Sequence, residues 1–126
     1  MTGEQILVVE DNEKNMKLFR DVLQAAGYRT LEATTGGRAF QLATEHGPDL
    51  ALVDIQLPDI DGVEVLGRLR ADERTASIPV LALTAQAMDG DRERFLAAGF
   101  DGYLSKPVNI AELVATVKHY CDGRGR

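Results

Sequence analysis

A few polar groups in this chain have the types and placement that phosphoryl chemistry needs. Asp54 ends an apolar run, Leu50-Ala51-Leu52-Val53, and is followed by Ile55-Gln56-Leu57-Pro58 and the Asp61-Gly62 turn. A carboxylate is thus fixed at the mouth of a buried strand. The pair Glu10-Asp11 has the same setting after Ile6-Leu7-Val8-Val9, and Lys106-Pro107 follows a later short strand. Three carboxylates in one crevice repel, and crowding raises the pKa of at least one. A cation would relieve them. All-oxygen ligands select a hard ion such as Mg²⁺, with Mn²⁺ as its substitute. Asp11 and Asp54 are the expected direct ligands, Glu10 a holder of metal-bound water, and the Gln56 backbone carbonyl a further ligand.

Asp54 is then placed to act as a nucleophile, since carboxylates form aspartyl phosphates. Catalysis of phosphoryl transfer is mainly positioning and charge neutralisation. The metal would take one phosphoryl oxygen, Lys106 a second as a mobile point charge, and the Thr84 hydroxyl a third. Backbone N–H groups of Gln56 and Ala85 would add contacts. Each residue also has a structural use. Asp11 or Asn12 would cap the first helix. Asp61-Gly62 reads as a turn and helix start, and Glu13 and Glu64 as solvated helix charges. Asp54 resists such a reading, because it follows a buried strand and Pro58 keeps the loop from becoming helix at once. Lys106-Pro107 would by default be a surface lysine before a trans proline, since X–Pro bonds are cis in only about 5–6% of cases.

These groups depend on elements that bring them together. The patterning predicts strands at Gln5–Val9, Tyr28–Ala33, Leu50–Val53, Pro79–Leu83 and Gly102–Ser105. Helices are predicted at about Asn12–Ala26, Gly36–His46, Gly62–Glu73, Asp89–Ala98 and Ile110–Cys121. Their stripes are Phe19/Val22/Leu23/Ala26, Val63/Val65/Leu66/Leu69 and Ile110/Leu113/Val114/Val117. Gly27, Gly47-Pro48, Gly99 and Gly123 mark the stops. Strict alternation implies an α/β fold, a doubly wound five-stranded parallel sheet with helices on both faces. The first, third and fourth strands are almost wholly apolar, as central strands should be. The second and fifth carry Arg29, Thr30, Glu32 and Ser105 and suit edges. That gives the order 2-1-3-4-5, the flavodoxin-like order, with ligands expected beyond the carboxyl ends of the first and third strands.

Bulk properties agree. The 126 residues suit one domain, expected over residues 1–121 with a short tail at 122–126. A net charge of −6 argues against a general grip on nucleic acid or anionic membrane. No run approaches the roughly 20 apolar residues of a bilayer span. The polar start Met1-Thr2-Gly3-Glu4-Gln5 does not look like a signal peptide, so the expected location is cytoplasmic. Cys121 alone forms no internal disulfide, and His46 and His119 read as surface helix histidines.

Taken together, Val9-Glu10-Asp11-Asn12, Asp54 with Leu57-Pro58 and Asp61-Gly62, Thr84-Ala85 and Lys106-Pro107 resemble the receiver domain of two-component response regulators (CheY-like). The resemblance runs in order along nearly the whole chain. It implies phosphorylation of Asp54 by the phosphohistidine of a histidine kinase or histidine phosphotransferase. It implies Mg²⁺ held by Glu10, Asp11 and Asp54, and a cis Lys106-Pro107 bond, against the base rate. It also implies a switch in which Thr84 moves toward the phosphoryl group and Tyr103 rotates inward. A downstream protein would read the face of the fourth helix, fifth strand and fifth helix, with Met88, Arg92 and Tyr103 as candidates and Phe95 either there or in the core. The phosphodonor would dock on Asn15, Met16 and Leu18 (unless Leu18 is core) and the Pro107-Val108 loop, while Gln56 and Gln86 would tune water access. The domain assists its own phosphorylation and dephosphorylation without being a turnover enzyme.

The stretch Val9–Tyr28, especially Glu10–Phe19, is similar to stand-alone cell-cycle receivers of the DivK type. Receivers of hybrid histidine kinases share its Glu-Asp-Asn start, so a phosphorelay module excised from such a kinase is the alternative. No DNA-binding module is expected after the fifth helix. Two other classes fit less well. A haloacid-dehalogenase-like phosphatase needs a second acid where Gln56 stands. A flavodoxin-like carrier needs a phosphate-cradling first loop, where Glu10-Asp11 would repel phosphate.

Overall fold

In the computed structural model, residues 3–85 and 91–123 are described. Strands and helices alternate strictly: β1 (Gln5–Val9), α1 (Glu13–Ala25), β2 (Arg29–Ala33), α2 (Gly36–His46), β3 (Leu50–Asp54), α3 (Gly62–Ala71), β4 (Val80–Thr84), α4 (Asp91–Ala98), β5 (Gly102–Ser105) and α5 (Ile110–Gly123). The strands form one parallel sheet in the order β2-β1-β3-β4-β5. β3 and β4 are buried throughout, and β1 from Ile6 onward. β2 and β5 are partly exposed edges, as their polar residues require.

Side chains alternate across a strand, so each strand feeds two cores. Leu7, Val9, Ala51, Val53, Val80 and Ala82 pack on the face of α2, α3 and α4, with Leu42, Leu69 and Phe95. Ile6, Val8, Leu50, Leu52, Leu81 and Leu83 pack on the face of α1 and α5, with Phe19, Leu23, Leu113 and Val117. The stripes are narrower than expected. Val63 and Ile110 are exposed, both in the first turn of their helices and ahead of the residues that pack. Ala26 is an exposed helix cap.

Two boundaries matter for the site. β3 and β4 each run one residue further than expected, taking in Asp54 and Thr84. The ladder extends because the Ile55 N–H donates to Leu83 O (3.0 Å) and the Lys106 N–H to Thr84 O (2.8 Å). Elsewhere, α3 stops at Ala71 because Asp72 turns to extended backbone and accepts the Arg74 N–H at 2.9 Å. α5 continues to Gly123, so the expected tail at 122–126 begins inside the helix. The expected start of the fourth helix at Asp89 lies outside the described residues.

The loop after β3 folds back tightly. The Gly62 N–H donates to Ile55 O at 2.9 Å. A Cβ on Gly62 would stand 2.5 Å from the Asp54 carbonyl oxygen and 2.9 Å from Ile55 Cα, so only glycine fits without moving backbone. Gly62→Ala should therefore destabilise the fold by about 1–3 kcal/mol through overpacking. Denaturant unfolding should show a lower midpoint at unchanged slope. A wild-type midpoint would disprove the close approach.

Candidate functional site

A cleft of ≈ 570 Å³ opens at the carboxyl end of the sheet, lined among others by Glu10, Asp11, Asp54, Gln56, Thr84 and Lys106. The register brings these together. Val9 pairs with Val53, Asp54 with Leu83, and Thr84 with Ser105, so the residues at or just past the strand ends share one rim. Asp54 continues the alternation of Leu50 and Leu52. Among the described residues, four polar side chains are buried: Glu10, Asp54, Thr84 and Thr75. Three of them stand in this cleft. Thr75 instead secures a turn by donating to Leu69 O at 2.6 Å.

Lys106 holds the centre. Its peptide bond to Pro107 is cis. Its Nζ lies 2.7 Å from Asp54 Oδ2, an aligned hydrogen bond, and 2.7 Å from Glu10 Oε1. The second contact is an ion pair out of line for hydrogen bonding, so Glu10 Oε1 is buried without a hydrogen-bond donor. The outer oxygens are held by backbone. Asp54 Oδ1 accepts the Gln56 N–H at 2.9 Å, and Glu10 Oε2 accepts the Asn12 N–H at 3.2 Å.

Burial pushes the Glu10 carboxyl above its ordinary range; the Lys106 ammonium opposes this, and the nearby Asp54 carboxylate adds to it. Burial pulls the Lys106 ammonium down, but the Asp54 and Glu10 carboxylates beside it outweigh that, so the net shift is upward. Carboxylate oxygens of Glu10, Asp11 and Asp54 all lie within 4.8 Å of one another. With these three ionised, the Lys106 ammonium offsets one of the three negative charges. That surplus, the all-oxygen donor set and the unbonded Glu10 Oε1 fit a hard divalent cation.

The neighbouring residues sort themselves. Asn12 caps α1 by accepting the Asn15 N–H at 3.0 Å, so capping does not occupy Asp11. Asp61 caps α3, accepting the Glu64 N–H at 2.8 Å. Tyr103 is half-buried on β5, its ring 6.0 Å from that of Phe95. Met16, expected on the docking surface, is core instead, and Phe95 takes the core place of its two alternatives. Met16 is 6% exposed because it shares the buried face of α1 with Phe19 and Leu23, and Phe95 is 2% exposed, packed edge-on against Phe100. Leu18, on the opposite side of α1, is 38% exposed. Gln86 and Met88, and the side chain of Arg92, lie outside the described residues.

One residue carried no signal in the sequence. Asp59, in the loop after Asp54, accepts the Gly36 N–H (2.8 Å) and the Gly37 N–H (3.0 Å) at the start of α2. These two backbone donors hold its carboxyl down to about 2. Its partners are more than twenty residues away, beyond the reach of any local pattern.

A parallel 2-1-3-4-5 sheet with acids and a lysine at its carboxyl end defines the CheY-like, flavodoxin-like class. The chain belongs to the response regulator receiver domain family, whose model matches residues 6–118. It is 49% identical over 117 residues to the polar-differentiation response regulator DivK of Brucella ovis, covering 93% of this chain and 95% of that protein. The receiver domain of a sensor histidine kinase from Pseudomonas aeruginosa PAO1, solved with magnesium in its active-site cleft, superposes with a TM-score of 0.89 at 37% identity. That match covers 97% of this chain and all of that one. Vibrio cholerae chemotaxis protein CheY4 gives 0.88 at 26% identity over 94% of this chain and 99% of its own. Receiver domains bind Mg²⁺ at the acidic pocket, and the Glu10-Asp11-Asp54 group occupies that place here.

The electrostatics predict opposite effects of two substitutions in metal-free protein. Glu10 titrates above its ordinary 4.5 in the folded state, so folding loses stability as pH rises from 4.5 through that raised value. Glu10→Gln removes this loss. It should be more stable than wild type at pH 7, with the gap closing as pH falls to 4.5. Lys106→Met leaves buried carboxylate oxygens without their donor and should cost about 1–3 kcal/mol at pH 7. Thermal melts across pH 4.5–7 check both. A Glu10→Gln variant less stable than wild type at pH 7 would refute the repulsion.

Proposed function

We propose that this chain is a phosphoacceptor switch of DivK type in which Asp54 accepts a phosphoryl group from a phosphohistidine. The observation that carries this is the buried Asp54 carboxylate at the end of β3, hydrogen-bonded to Lys106 and clustered with Glu10 and Asp11. In the transfer, an Asp54 oxygen forms the new P–O bond as the P–N bond to the donor imidazole breaks. The imidazole nitrogen leaves with the electron pair. Glu10, Asp11, Asp54 and the Gln56 backbone carbonyl would hold Mg²⁺, or Mn²⁺ in its place. The ion supplies charge neutralisation for the carboxylates and the incoming phosphoryl oxygens. Lys106 shifts its ammonium from Asp54 to a phosphoryl oxygen, and Thr84 donates its hydroxyl to another. Gln56 stands where a turnover phosphatase would keep a second acid, so Asp54 holds the phosphoryl group instead of processing substrate.

The donor is a histidine kinase or histidine phosphotransferase, docking on α1 around exposed Leu18 and on the Pro107–Val108 segment. Phosphorylation adds about −1.5 to −2 charge. Thr84 moves toward it, and Tyr103 turns inward from the α4–β5–α5 face that a downstream protein reads. No described helix is long and apolar enough to cross a membrane, in keeping with a cytoplasmic partner. The 49% identity to DivK relatives favours this reading over a receiver module of a hybrid kinase.

A phosphorylated histidine kinase core with Mg²⁺ should label the wild type and leave Asp54→Asn unlabelled. Chelating the metal should abolish labelling, and Lys106→Met should slow it about 100-fold. Undiminished labelling of Asp54→Asn would overturn the assignment. With beryllofluoride bound, Tyr103 should change rotamer by NMR, and a single rotamer throughout would end the proposed switch.

A further inference from the structure

The loop between β3 and α3 carries Gln56, whose N–H donates to Asp54 Oδ1 at 2.9 Å. It is closed at its base by the Gly62 N–H to Ile55 O bond. Its apex is pinned elsewhere, on α2. Asp59 sets one carboxylate oxygen on each of the first two N–H groups of that helix, at 2.8 and 3.0 Å. Thr35 caps the same helix by accepting the Arg38 N–H at 3.2 Å. Three of the helix's free N-terminal donors are thereby satisfied, two of them by the loop. The next residue, Ile60, rests on Gly36. A Cβ at position 36 would lie 2.8 Å from Ile60 Cδ1 and 2.8 Å from Val65 Cγ2, so the Ile60 side chain packs directly on the helix backbone at Gly36. The carboxylate is anionic over the positive end of a helix dipole, which strengthens the anchor.

We propose that Asp59 is a positioning residue for the cation site, bracing the Gln56 segment against α2 so that the loop's backbone is preorganised for the metal. Only Leu57 and Pro58 separate the brace from Gln56, and this short stretch transmits the anchor with little slack. Asp59 acts through that backbone and touches neither metal nor phosphoryl group. The inference rests on the Mg²⁺ reading above and adds to it a residue outside the acidic cluster.

The test is Mg²⁺ titration by calorimetry on wild type, Asp59→Ala, Asp59→Asn and Thr35→Ala, at a temperature where each is fully folded. Thr35→Ala removes a cap of the same helix without touching the loop. It should lower the melting temperature and leave Mg²⁺ affinity at the wild-type value. Asp59→Ala should weaken Mg²⁺ about tenfold, as loss of an outer-shell support does. Asp59→Asn, which keeps one acceptor oxygen, should weaken it less, and it carries the test if the alanine variant does not fold. Wild-type Mg²⁺ affinity in the Asp59 variants would overturn the inference, as would equal weakening by Thr35→Ala. A wild type that takes up no Mg²⁺ would overturn the underlying reading, and the inference with it.

Discussion

The constraint on which this structure depends is the gathering of Glu10, Asp11 and Asp54, with the Lys106 ammonium set between Glu10 and Asp54. Two of the acids are buried, and burying a carboxylate is costly unless it is paired and hydrogen-bonded. Lys106 meets that need in part. Its ammonium sits 2.7 Å from both buried carboxylates, yet it is aligned with one alone. The resting arrangement is therefore held together and left short of positive charge at once. A fold selected for stability alone would not keep this surplus, and it is the surplus that gives a cation somewhere to go.

The remainder of the molecule reads as the means of holding that cluster in place. Two apolar cores clamp β1, β3 and β4 from both sides, so their ends are fixed relative to one another. The ladder continues through Asp54 and Thr84, which makes these residues the last rungs of the sheet and not parts of mobile loops. The Lys106 N–H bonds the Thr84 carbonyl at 2.8 Å, so the lysine backbone is tied to the adjacent strand before its side chain reaches inward.

The sheet and the cluster were legible in the sequence because both rest on local signals. Apolar runs against polar edge strands order the sheet, and an acid directly after such a run marks a strand mouth. What stayed hidden depends on distant pairing or on which side of a helix faces in. Met16 and Leu18 are two residues apart and equally apolar, yet one is core and the other surface. Phe95 is core because Phe100 and Tyr103 meet it across a turn and a strand. Whether Asp11 or Asn12 caps α1 is settled by backbone geometry that residue type leaves open. Asp59 has no local mark, since loop aspartates are common and its partners come from another helix.

Asp59 also shows why the site can be stable without being relaxed. It is an exposed residue whose carboxylate is fully used by two backbone donors, while buried Glu10 keeps an oxygen with no hydrogen bond. The two acids titrate in opposite directions: burial raises Glu10, while the Gly36 and Gly37 donors lower Asp59. Asp59, held down to about 2, supports the fold above its ordinary value of 3.8 and loses that support only as pH falls from there. Glu10, pushed up from 4.5, weighs against the fold as pH rises. At neutral pH the loop is braced by one acid while the cleft beside it is strained by another. Rigid backbone next to uncompensated charge is what electrostatic preorganisation requires: the site need not reorganise when the missing positive charge arrives.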